Sequence, residues 1–208
     1  MKLRDKEILY CDNHLLVVDK PSLLLTLRTK EVEESVQTVG QAWIKERFQK
    51  PGNVFLHPVH RLDRVASGIV VCARTSKALS RLNAQIKMRA WHKRYKLRHE
   101  GKLPMAKGTL RHFLQKGDDH TVVGATGDEA ILNYTEIKPG YAEVELITGR
   151  YHQIRAQFAA IGCPIRGDFK YGAQSPAISP GIDLHHTRLE FAHPVTSELL
   201  VINSIAPF

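Results

Sequence analysis

The most continuous apolar run in the chain is residues 69–73, at the end of HPVHRLDRVASGIVVCAR (57–74). Its length and β-branched content predict a buried strand. Upstream, residues 8–10 and 15–18 predict two short strands around an Asp12-Asn13 turn, the second broken by Lys20-Pro21. Residues 35–48 predict a helix, with Val36, Val39, Ala42 or Trp43, and Ile44 or Arg47 on one stripe. Pro51-Gly52-Asn53 stops it. Ser76 is the expected N-cap of a second helix, whose apolar positions Leu79, Leu82 and Ile86 recur at helical spacing. Residues 100–128, rich in Gly, Asp and Lys, predict surface hairpins and loops. Residues 129–137 and 141–147 predict paired strands around Lys138-Pro139-Gly140. In the second, Ala142, Val144 and Leu146 alternate with Glu143 and Glu145. A helix is predicted over 152–161, with Ile154, Phe158 and Ile161 buried, Gly162 as its stop and Pro164 beyond. Residues 184–191 and 199–202 predict the last strands, separated by a turn at His193-Pro194.

Composition narrows the class. With 208 residues, 43% of them hydrophobic, the expectation is one folded domain over 1–208, with no internal repeat or long linker. The net charge of +9 favours a polyanionic partner, nucleic acid before membrane. The cations are spread along the chain, which points to a positive face on a folded body rather than a basic tail. Three cysteines and no CxxC argue against a disulfide framework. The start, MKLRDKEILYCDN, lacks the apolar core of a signal peptide, and no run approaches the ~20 apolar residues of a membrane span. A soluble cytoplasmic protein is expected. Among the histidines, His57 and His60, and His185 and His186, lack HExxH spacing, and Pro58 argues against a helix. No metal is expected.

Two clusters carry candidate chemistry. His60, Arg61 and Asp63 fall within four residues, in a loop that feeds the apolar strand. Asp63 reads either as a turn aspartate or surface partner of Arg61 or Arg64, or as a functional carboxylate whose charged form is favoured by cationic neighbours. The second cluster is TGRYHQIRAQFAAIGCPIRGD, residues 148–168. There a strand ends and a helix begins, gathering Arg150, His152, Gln153 and Arg155 where helix amides and dipole favour an anion. The alternatives are a corner with solvated cations, or a bound anion: a polynucleotide phosphate, the Asp63 carboxylate, or both. A third stretch, residues 87–98, interleaves basic residues with Trp91 and Tyr95, and reads as a solvated edge strand or a nucleic-acid surface.

These segments resemble the RluA-type pseudouridine synthases. HRLDRVASGIVVCAR resembles that family's HRLDxxTSG-type motif. GRYHQIRAQFAAIGCPIRGDFKYG resembles GRTHQIR…GxPIxGDxxYG, and LHHTRLEFAHPVT, residues 184–196, resembles LHAxxLxFxHPxT. ILYCDNHLLVVDKPS, residues 8–22, is similar to the opening strand pair and Lys-Pro turn, and KRYKL falls where the family has its tyrosine strand. The segments keep the family's order and span nearly the whole chain. The resemblance implies an α+β fold with a central mixed, mostly antiparallel β-sheet, flanking helices and a catalytic cleft. It implies isomerisation of uridine to pseudouridine in structured rRNA or tRNA, with no cofactor or metal. Asp63 corresponds to the essential carboxylate, Tyr95 to the base-stacking tyrosine and Arg155 to the arginine that pairs with the aspartate. Arg61 corresponds to the residue that displaces the target base. His60, Arg150, His152 and Gln153 join it as substrate-binding candidates.

The chain departs from the pattern at Ala66 and Tyr151, where threonine is usual. It departs also at Gln157, where histidine is usual, and at Ser22-Leu23, where Ala-Gly is usual. Because the motifs begin at residue 8, the small N-terminal RNA-binding domain of many relatives is expected to be absent, leaving a monomeric catalytic body to bind an RNA stem-loop. The competing classes are a catalytically inactive RNA-binding or RNA-folding protein on the same fold, which would not need Asp63, Tyr95 and Arg155 together, and a metal-dependent hydrolase, which would be sensitive to chelators.

Overall fold

A computed structural model describes residues 3–117 and 119–208. In chain order the elements are β1 (Ile8–Cys11), β2 (Leu15–Lys20), α1 (Val36–Arg47), β3 (His57–Pro58), β4 (Ser67–Ala73) and α2 (Ser76–Lys87). There follow β5 (His92–Arg98), β6 (Lys107–Lys116), β7 (Thr121–Gly124), β8 (Asp128–Lys138), β9 (Tyr141–Leu146), α3 (Gln153–Ala160), β10 (Leu184–Ala192) and β11 (Leu199–Asn203). The expected α+β class, rich in antiparallel sheet, holds. Among the described residues no helix is long and apolar enough to cross a membrane. Two compact units divide the chain: one contains the residues up to Trp91 together with Arg188–Ile205, the other His92–Thr187 and Ala206–Phe208.

In the first unit β2 pairs antiparallel with β1 and with β4, from Leu15↔Ala73 to Lys20↔Gly68. All seven residues of β4 are buried, which is why its sequence is apolar without alternation. Leu15, Val17, Ile69, Val71 and Ala73 face one way and pack with Ala78 and Leu82 of α2, Trp91, and Leu189 and Phe191 of β10. Helix α1 buries Val36, Val39, Gly40 and Ile44. A Cβ at Gly40 would fall 2.6 Å from Leu56 Cδ2 and 3.2 Å from Leu16 Cδ2, so glycine lets the helix approach β2 closely.

The ends of these elements follow the local chemistry. Ser35 caps α1, its hydroxyl accepting from the Thr38 N–H. The cap of α2 is Thr75, not Ser76: the Thr75 hydroxyl accepts from the Ala78 N–H at 3.1 Å. A hydroxyl one residue earlier satisfies the same end, which makes adjacent Thr-Ser caps hard to separate by sequence. The two turns expected at Asp12 and His193 meet. Asp12 Oδ1 accepts from the backbone of His14 and Leu15, and Oδ2 lies 2.8 Å from His193 Nε2. Nδ1 of His193 accepts from the Thr196 N–H at 3.0 Å, so Nε2 carries the proton. Burial works against the Asp12 carboxylate, but these donors outweigh it and bring its pKa below the ordinary value.

In the second unit the strand order is β5-β9-β8-β6-β7, every pair antiparallel. Ala142 and Val144 of β9 are buried, as the alternation predicts, whereas Leu146 is only partly covered. Tyr95, Val144 and Tyr134 form one row across three strands. The hairpins expected over residues 100–128 include β6 and β7, which pair antiparallel; β6 exposes every second residue, which blurred its bounds in the sequence.

Candidate active site

Asp63 sits half-buried, within the first unit, in a loop whose backbone is held on both sides of it. The Thr26 hydroxyl donates to the Leu62 carbonyl at 3.0 Å and accepts from the Leu62 N–H at 3.2 Å, holding both sides of the residue before Asp63. After Asp63, Ser22 Oγ donates to Val65 O at 2.6 Å and Leu23 N to Arg64 O at 2.7 Å. Lys20 ends β2 with its side chain fully buried. Its Nζ reaches four carbonyls: Ala66 at 2.6 Å, Leu24 at 2.9 Å, Pro21 at 3.0 Å and Arg64 at 3.3 Å. Burial pulls the Lys20 pKa down to about 7, against an opposing pull from the Asp63 charge. The Lys-Pro turn is thus more than a strand breaker: it places an ammonium beneath the loop that carries the carboxylate.

The segment before Asp63 was expected to be loop, yet His57–Pro58 pairs with Ala73 and Cys72 of β4. The Val59 N–H continues onto Val71 O at 2.8 Å, and His60 Nε2 accepts from the Val71 N–H at 3.1 Å. The His60 ring meets Trp91 edge-on at 5.6 Å. His60 therefore anchors the loop to the core strand. Arg61 is exposed. Trp91, expected among nucleic-acid-facing aromatics, is only 5% exposed; its ring packs on Phe191 and its indole N–H donates to Gln85 Oε1. An amphipathic basic strand need not show its aromatics to solvent: in β5, His92, Arg94 and Lys96 face out while Tyr95 and Leu97 face in.

Tyr95 is 6% exposed, and its ring lies flat on His186, 4.5 Å between centroids at 12°. Arg155 is buried on α3 and forks onto Asp168, Nε to Oδ2 at 2.7 Å and Nη2 to Oδ1 at 2.9 Å. Its guanidinium also covers the Tyr171 ring at 4.8 Å. Asp168 follows Gly167, which has φ +83°; a Cβ there would lie 2.7 Å from both Ala177 Cβ and Gly181 O. Asp168 was not singled out in the sequence, although the glycines bracketing GDFKYG were the available signal.

The other residues of the second cluster hydrogen-bond to different partners rather than to one point. Gln153 is buried; its Oε1 accepts from Thr148 Oγ1 at 2.8 Å and the Arg150 N–H at 2.9 Å, and its Nε2 donates to Ile131 O at 3.1 Å. Those bonds join the end of β9 to the start of α3, a structural task. Arg150, exposed, donates through Nε to Glu129 O at 3.0 Å and lies 3.5 Å from Asp128. His152 adopts the left-handed conformation at the N-cap, φ 52°, and its Nδ1 lies 2.9 Å from the Tyr171 hydroxyl. Helix α3 buries Gln153 to Phe158 on all sides, not along a single apolar stripe, because Gln153, Arg155 and Gln157 each reach a polar partner, although Gln157 Oε1 itself has none among the described residues. Gln157 Nε2, for instance, reaches Leu110 O and Ala130 O, both at 3.2 Å.

Residues 14–160 match the family model described as RNA pseudouridylate synthase. The dual-specificity RNA pseudouridine synthase RluA of Haemophilus influenzae is 31% identical over 212 residues, 97% of this chain and 94% of that protein. The uncharacterized RNA pseudouridine synthase YhcT of Bacillus subtilis is 32% identical over 213 residues, 97% of this chain and 68% of that one. The solved structure of human RNA pseudouridylate synthase domain containing 4 shares the fold, with a TM-score of 0.77 at 21% identity, covering 97% of this chain and 89% of that one. The chain belongs to the RNA pseudouridylate synthase family.

Proposed function

We propose that this protein isomerises particular uridines of structured rRNA or tRNA to pseudouridine in the cytoplasm, as a monomer, with Asp63 as the essential carboxylate. The reaction conserves every atom. The bond from sugar to ring nitrogen 1 breaks, a bond to ring carbon 5 forms, carbon 5 gives up a proton and nitrogen 1 gains one. It therefore needs acid–base or nucleophilic help and no redox partner. A carboxylate can attack the sugar or the ring, or take the proton at the 2′ carbon. Tyr95 stacks on the extruded uracil, Arg155 supports the carboxylate electrostatically, and Arg61 fills the space the base leaves, offsetting an extrusion cost of a few kcal/mol. The exposed cations Arg94, Lys96 and Arg150 contact phosphate.

The observation that carries the reading is the loop around Asp63, held from both sides by Thr26 and Lys20 while the carboxylate stays half-buried. A solvated turn aspartate needs no buried ammonium beneath its loop. The test is carbodiimide-dependent primer extension on total rRNA and tRNA from cells with and without the gene. A pseudouridine that disappears on deletion and returns with the wild-type gene supports the proposal. No missing site, with purified protein still binding RNA, favours an RNA-binding protein on the same fold.

A further inference from the structure

Tyr151, at the corner between β9 and α3, is 42% exposed, and neighbouring groups hold it from behind. Its carbonyl accepts from the Thr121 hydroxyl at 3.0 Å. The Tyr171 hydroxyl accepts from the Thr121 N–H at 2.8 Å and hydrogen-bonds His152 Nδ1 at 2.9 Å. The His152 ring in turn backs Tyr151, 3.8 Å between centroids at 21°. Lys116, exposed at the end of β6, holds its Nζ 5.6 Å from the Tyr151 ring centre. Nearby, Asp119 is occupied by Lys170 at 2.8 Å and His120 at 2.6 Å.

An exposed ring fixed from behind, with an exposed cation beside it, has the make-up of a single-stranded nucleic-acid platform: the π-face takes a base, the ammonium a phosphate. We propose that Tyr151 is a stacking site for an unpaired nucleobase of the RNA, separate from the uridine that reacts, and that Lys116 turns from the ring to the neighbouring phosphate when the base arrives. The inference rests on RNA as the substrate class. A backed ring loses little freedom on binding, so the stacking energy is not spent on ordering the side chain.

The probe is a single-stranded oligoadenylate with one central 2-aminopurine, titrated with full-length protein. Stacking on a tyrosine ring quenches the fluorophore. The wild type and Tyr151→Phe quench it with similar affinity. Tyr151→Thr loses the quench and binds roughly 5- to 100-fold more weakly, the range expected for removing one base–aromatic stack. Lys116→Gln keeps the quench and lowers the slope of log affinity against log salt by about one unit. Thermal unfolding of each variant confirms that it is folded. Tyr151→Thr behaving as wild type, or Tyr151→Phe as weak as Tyr151→Thr, overturns the proposal. So does a wild type that binds without quenching, and none of these outcomes bears on whether Asp63 supports pseudouridine formation.

Discussion

The loop at Asp63 and the corner at Arg155 are held in place by opposite means. Around Asp63 side chains bind backbone: Lys20, Thr26 and Ser22 grip carbonyls on either side of the carboxylate, and the Thr26 hydroxyl also accepts from the Leu62 N–H. Around Arg155 the bonds run from side chain to side chain, Arg155 to Asp168, Gln153 to Thr148 and His152 to Tyr171. The first arrangement fixes where a residue's backbone sits. The second fixes the side chains themselves. A reacting group suits the first, and a rigid charged frame suits the second.

The largest effect on stability is expected in the corner. Arg155→Met leaves the Asp168 carboxylate buried and unpaired, and should cost about 3–5 kcal/mol in urea unfolding. Arg155→Lys should recover only part of this, because an ammonium cannot match the two-pronged contact. Equal stability of Arg155→Met and wild type would break the contrast, showing the ion pair to be incidental.

Next comes Lys20→Met, which strips the donor from the four carbonyls and should cost about 2–4 kcal/mol. It also has a pH signature. Lys20 has a folded pKa of about 7, below its ordinary value, so above that pH the unfolded chain binds the extra proton. Wild-type stability therefore gains between pH about 7 and 10, a gain the methionine variant lacks. The stability difference between the two should widen across that window; a flat difference would mean that Lys20 titrates near its ordinary value. The smallest effect is Thr26→Val, about 1–2 kcal/mol for the hydroxyl shared by both backbone groups of Leu62. Its interest is kinetic: a displaced Asp63 lowers kcat while RNA binding, which uses other residues, is retained.

What the sequence showed depended on how local the physics was. Apolar runs and caps located β2, β4, α1 and both turns, because those signals are complete within a few residues. The candidate residues Asp63, Tyr95 and Arg155 stood out for the same reason, each inside a contiguous motif. The buried polar contacts did not. Lys20 looked like the end of a strand, yet the carbonyls of Arg64 and Ala66 that it holds lie more than forty residues away. Gln153 and Arg155 stood out as part of a cationic helix end, but nothing local in the sequence showed that Gln153 also holds Ile131 and Arg155 also holds Asp168. Periodicity assigned α3 a single buried stripe because it weighs polarity and not the chance that a polar group finds a buried partner.

The central claim is that the loop clamped by Lys20 and Thr26 exists to present Asp63 to a uridine. The most direct test uses rRNA and tRNA from cells lacking the gene, incubated with purified wild type or with Asp63→Asn, an almost isosteric change. Pseudouridine is then mapped by carbodiimide-dependent primer extension and RNA affinity is measured in parallel. Wild type should restore the missing modification, and Asp63→Asn should bind the same RNA with similar affinity and restore none. Restoration by Asp63→Asn at the wild-type rate would contradict the account.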